Sequence, residues 1–189
     1  MHHTDKSKIF HALEAKVEED GAPQDAGCTI IDGCFMLRTM NPSQPGTYGA
    51  LSRNIMSTVL QSKGSRVDVT FDTYETPSIK DSERGRRGSV SRNVSIVISG
   101  PQQRRDGSFA KQLDSEGFKR ALPSFLVDDW QRPEYAPLIG NRELYVGVRE
   151  TCYRFSVRDG IVVRETVPAL DCNHPESDTR SALHAQHAV

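Results

Sequence analysis

Apolar positions recur along the chain at two spacings, and the change from one to the other marks out its elements. Residues 6–17 set Ile9, Phe10, Leu13 and Val17 on one side, with Glu14, Glu18 and Glu19 away from them, a helical period. Turn residues between Gly21 and Gly27 end that pattern, and 28–32 is a short apolar run of strand length. Residues 35–40 and 48–60 have helix-like composition; the two prolines of 41–46 fit inside neither. A second strand, 66–71, follows. Strand, helices and strand again is the connection of a parallel sheet, in which active groups gather at the carboxyl ends of the strands.

Further along, 78–87 reads as a short helix and 94–98 as a brief strand, the latter inside a Gly-, Ser- and Arg-rich stretch, 86–107, with the composition of a loop. Phe118, Leu122, Phe125, Leu126 and Trp130 repeat at helical intervals around Pro123, which puts Trp130 in the core. Residues 143–148, 152–157 and 161–166 are extended, with Arg158, Asp159 and Gly160 as a hairpin turn between the last two. A final helix spans 175–189, with Pro175 near its first turn. The pattern predicts an α/β domain at 28–189, preceded by a helix and linker at 1–27.

Composition changes this picture little, and local charge changes it more. With 189 residues the chain can bury one core, and its formal net charge of -1 names no partner. Yet Lys80 to Arg105 holds seven Lys and Arg against Asp81 and Glu83. Such a run is either a solvated loop or a phosphate-binding surface. Cys28, Cys34, Cys152 and Cys172 form no zinc-ligand spacing, and no signal peptide precedes them, so an intracellular chain, nuclear or cytoplasmic and not secreted, is expected. No apolar stretch nears the roughly 18 residues of a membrane span, so the expectation is a soluble chain without a membrane partner. The pattern carries no signal of oligomeric state.

The candidate chemistry is acidic. Asp32 and Asp72 each close a strand-like run, and Glu176 and Asp178 open the last helix. Hard cations such as Mg²⁺ or Mn²⁺ take oxygen ligands, so these four carboxylates are the candidate metal ligands. Two such ions about 4 Å apart stabilise both the attacking and the leaving oxygen of a phosphodiester. Lys80 and Arg87, seven positions apart and so about two helical turns, are placed to grip the scissile phosphate; Arg84 and Arg86 would hold flanking phosphates of DNA or RNA without reading sequence. Each feature has a plainer reading. Asp32 before Gly33 is also a helix-entry turn, and Glu176 and Asp178 can simply cap their helix. A zinc site from Cys172, His174, His184 and His187 lacks the usual spacing.

These motifs resemble the flap endonuclease branch of the PIN-like 5′ nucleases. There a strand ending in Phe-Asp precedes a Pro-containing loop and a helix bearing Lys and Arg, matched here by Phe71, Asp72, Pro77, Lys80 and Arg87. An acid pair across one residue at a helix start is matched by Glu176 and Asp178. Over 30–187 the chain is also similar to a group of eukaryotic proteins often encoded near mobile elements. The shared phrases are Ile31-Asp32-Gly33, Phe71-Asp72 with Tyr74, Ser78-Ile79-Lys80, Gly140-Asn141 with Glu143-Leu144-Tyr145, and Asp178-Thr179-Arg180 with Leu183-His184-Ala185.

The resemblance implies a three-layer PIN-like sandwich with a mainly parallel sheet and a structure-specific, Mg²⁺- or Mn²⁺-dependent nuclease acting on DNA or RNA. Both groups carry an Asp-rich strand after the acidic helix, whereas this sequence stops at Val189. On that comparison the fold and the metal site would be incomplete at the C-terminus. The alternative is a catalytically inactive nucleic-acid or protein interaction module derived from a nuclease or a mobile element.

Overall fold

A computed structural model describes residues 27–40, 46–74, 96–105 and 108–188. The expected helix at 6–17 and the basic segment 78–87, with Lys80, Arg84, Arg86 and Arg87, lie outside the described residues.

Within them the order is β1 (Cys28–Asp32), α1 (Gly33–Thr39), α2 (Tyr48–Val59), β2 (Arg66–Thr70), α3 (Phe109–Leu113), α4 (Glu116–Asp129), α5 (Ala136–Ile139), β3 (Glu143–Val148), β4 (Thr151–Arg158), β5 (Ile161–Thr166) and α6 (Ser177–Ala188). The five strands form one sheet in the order β1-β2-β3-β4-β5. β1, β2 and β3 run parallel, while β3–β4 and β4–β5 are antiparallel. The sheet is thus mixed rather than mainly parallel. Only Arg149 and Glu150, then Asp159 and Gly160, separate the last three strands, too little chain for a crossover. Asp159 and Gly160 both have positive φ, 53° and 75°, as the Asp-Gly hairpin requires.

Strand β2 organises the packing. Val67, Val69 and Phe71 point to one face and are buried in the main core with Leu51, Ile55 and Met56 of α2 and Phe118, Leu122 and Leu126 of α4. Trp130 sits in that core at 0 % exposure, as its spacing predicts, and its indole Nε1 donates to the Ser52 carbonyl at 3.4 Å. α2 is started by Thr47, whose hydroxyl accepts from the Ala50 N–H, and α4 by Ser115, which accepts from Phe118. α4 continues through Pro123 despite the missing N–H.

Of the expected strand at 94–98, the described part, 96–98, is not a strand. The Gln103 amide holds this backbone instead, accepting from Ser99 N–H at 2.6 Å and donating to the Val97 carbonyl at 3.4 Å. Helices α3 and α5 carry no long apolar period, and the sequence pattern does not announce them.

Candidate functional site

Parallel pairing puts the carboxyl ends of β1 and β2 side by side, with Asp32 opposite Thr70 and Asp72 two residues beyond. Gly33 follows Asp32 for a steric reason: a Cβ there would lie 2.5 Å from the Phe71 ring. Asp32 caps α1, its Oδ1 accepting from Phe35 N–H at 3.0 Å. Its Oδ2 accepts from the Ser177 hydroxyl at 2.9 Å. The Ser177 backbone N–H donates to Asp72 Oδ1, also at 2.9 Å, and Tyr74 donates to Asp72 Oδ2 at 3.1 Å. Two carboxylates that are 40 positions apart in the chain therefore meet at one residue, the first of α6.

Below that point α6 descends along the second face of β2 through a polar ladder. Ser181 meets Thr70, hydroxyl to hydroxyl, at 2.9 Å. His184 Nδ1 lies 2.6 Å from Asp68 Oδ2, both side chains essentially without solvent contact. Arg66 donates to both Asp68 oxygens at 2.7 Å, and its guanidinium also reaches His187 Nδ1 at 3.0 Å. Helix positions 177, 181, 184 and 187 thus answer strand positions 72, 70, 68 and 66, a helical period matched to a strand period. Burial alone would push the Asp68 carboxyl up, but Arg66 and His184 hold it below the usual carboxylate range.

Arg180, 2 % exposed, ties the surrounding segments together. It donates to the carbonyls of His174 (3.0 Å), Cys172 (2.8 Å) and Arg149 and to the Thr73 hydroxyl (2.9 Å). Thr73 N–H in turn donates to the Pro175 carbonyl at 2.7 Å, which fixes the segment after Asp72 to the segment before α6. Beside Asp72 opens a cleft of about 540 Å³ with Tyr74, Lys119, Arg120 and Arg149 in its wall. Lys119 Nζ lies 4.4 Å above the Tyr74 ring.

Thiol chemistry finds no support here. Burial first, then the neighbouring carboxylates, pushes Cys34 up, and burial with Asp68 raises Cys28 to about 11. Tyr74 is likewise pushed up by burial and by Cys34 and Asp72, which leaves it a hydrogen-bond donor.

Of the sequence-derived candidates, the structure brings Asp32 and Asp72 together. Glu176 and Asp178 flank the meeting residue and are exposed, whereas Ser177 between them is buried. His184 and His187 engage Asp68 and Arg66 rather than Cys172 or His174. Among the described residues no three His, Cys, Asp or Glu side chains are gathered as a metal site would need, and no helix is long and apolar enough to cross a membrane. Composition reasoning missed Ser177, Tyr74 and Arg180, although Tyr74 and Arg180 stand in the phrases that carried the resemblance. Comparison with protein-family models, with curated proteins and with solved structures finds no match.

Proposed function

We propose that the Asp32–Asp72 end of the sheet is a nuclease-type site for divalent-cation-assisted phosphodiester hydrolysis of DNA or RNA, on a three-layer α/β architecture of PIN-like kind. The observation that carries this reading is the meeting of Asp32 and Asp72 on Ser177, with Glu176 and Asp178 on either side. It supports the reading because ligands of open α/β sheets bind outside the carboxyl ends of parallel strands. Helices on both faces of the sheet support the layer arrangement. An intracellular place of action, nuclear or cytoplasmic, goes with such a substrate.

Carboxylate oxygens are the donors Mg²⁺ and Mn²⁺ prefer, and Mg²⁺ keeps several waters while binding through one or two carboxylates plus substrate phosphate. Asp32 and Asp72 fit that mode of binding, not a closed protein cage. When bound, the cation would polarise the phosphoryl oxygens and neutralise charge that develops on them. The chain's own part is positional. Ser177 fixes both carboxylates, Tyr74 orients Asp72, and Arg180 with Thr73 holds that segment on the start of α6. The basic residues Lys80 and Arg87, with Arg84 and Arg86, supply phosphate-directed charge beginning eight positions after Asp72.

Cleavage of a branched or single-stranded oligonucleotide with Mg²⁺ or Mn²⁺ tests the reading. Activity should disappear with EDTA and with Asp72→Ala; activity that survives both treatments would reject it. One observation favours the second reading, an inactive interaction module. All four oxygens of Asp32 and Asp72 already accept from protein donors. Its outcome is binding without cleavage, weakened by Lys80→Ala and Arg87→Ala.

A further inference from the structure

The cleft beside Asp72 does not stand alone. A second one of about 750 Å³ lies between α4 and residues 96–101, and the two share Arg120 and Arg149 in their walls. Lys119 flanks the Asp72 end, while Ile96, Ile98 and Pro101 form an apolar side of the far end. Acids also stand in the walls, Glu150 at the Asp72 end and Asp128 and Asp129 at the far end; Asp128 pairs with Arg164 at 2.9 Å, and Asp129 accepts from Tyr135 and lies 3.6 Å from Arg132 of the same wall.

Arg149 carries a second, independent mark. Both hairpin turns of the sheet are two residues long. One uses Asp159-Gly160, the pair that tolerates positive φ, whereas the other puts Arg149 at φ 54°. A long side chain in the left-handed region is disfavoured by the clash of its Cβ with the backbone, and residues held there cluster at functional positions. Nothing in the turn itself calls for arginine, since its carbonyl, not its side chain, is what Arg180 holds.

We propose that the two clefts form one trough for a single strand of nucleic acid, with backbone phosphates on Lys119, Arg120 and Arg149 and the strand leading away from Asp72 along α4. This rests on the reading of the Asp72 end as a phosphate-directed site. From Lys119 to Asp128 the helix rises about 14 Å, room for roughly four stacked nucleotides at ~3.4 Å each. The apolar side lets bases rest without being read, so affinity follows length and salt rather than sequence.

The test is anisotropy of a labelled oligothymidylate with the full chain in EDTA, over a series of salt concentrations. Wild type should bind with log affinity falling linearly in log salt. Arg120→Ala with Arg149→Ala should flatten that slope by about 1.4, at ~0.7 per phosphate on a single strand. Arg120→Lys with Arg149→Lys should restore most of it, which a purely structural role would not. Asp72→Asn should bind at least as well as wild type while losing any cleavage. Binding that needs the two arginines, in a wild type that cuts nothing when Mg²⁺ or Mn²⁺ replaces the EDTA, would sink the nuclease reading and leave the trough standing. Cleavage by wild type with binding unchanged in the double alanine variant would overturn the trough and leave the nuclease. A wild type that does not bind, or an acidic peptide that competes as well as the oligonucleotide, would also overturn it.

Discussion

Strand β2 presents two faces that do different work. Val67, Val69 and Phe71 enter an apolar core with many neighbours, and any well-shaped apolar side chain would satisfy most of what that face requires. Asp68, Thr70 and Asp72 each meet one polar partner on α6, and each pairing has its own chemistry. The apolar face is tolerant of identity and sensitive to volume. The polar face is the reverse, because a buried polar group without its partner is costly. α6 therefore docks in a single register, and that register sets Ser177 between Asp32 and Asp72. The apolar burial comes from one side of the strand, and the geometry of the site from the other.

Substitution on each face should break this contrast most plainly. Phe71→Ala and Asp68→Ala should each cost about 3–5 kcal/mol in urea unfolding, the first by opening a cavity, the second by leaving Arg66 and His184 around an absent charge. Phe71→Leu should recover most of the loss, to under about 1.5 kcal/mol, whereas isosteric Asp68→Asn should recover little. Equal rescue on both faces would erase the distinction. Next in size is Gly33→Ala, at about 1–3 kcal/mol, because its methyl would press on the Phe71 ring. In a Phe71→Ala background the same substitution should become nearly neutral.

A pH series sharpens the polar side. The Asp68 carboxyl is held below its unfolded value of about 3.9, so its contribution is complete above that pH and is lost as pH falls through the folded value. Asp68→Asn should flatten the acid limb of the stability curve below about pH 4, and an unchanged limb would place the acid sensitivity elsewhere. The smallest effect belongs to Ser177→Ala, about 1 kcal/mol by thermal unfolding. It removes the hydroxyl bond to Asp32 and keeps the backbone bond to Asp72.

The apolar face was legible from the chain alone. Alternation through Val67, Val69 and Phe71, and the helical spacing from Phe118 to Trp130, mark their elements because burial repeats with the period of the backbone. The carboxyl-end position of Asp32 and Asp72 was legible for the same reason. Ser177 was not: a serine between Glu176 and Asp178 looks like a spacer until α6 is docked, and its role comes from tertiary register. The mixed sheet was only half legible, since the Asp159-Gly160 turn declares itself and Arg149-Glu150 does not. Lys119, Arg120 and Arg149 come together through folding rather than along the chain, so no local charge run pointed to them.

The proposal that Asp32 and Asp72, which converge on Ser177, form one cation-directed site is tested most directly by calorimetric titration of the purified chain with Mn²⁺, comparing wild type, Asp32→Asn and Asp72→Asn. Wild type should bind, and either substitution alone should weaken binding by about tenfold or more, equivalent to about 1.4 kcal/mol. No binding by wild type, or binding that is the same in all three proteins, would contradict it.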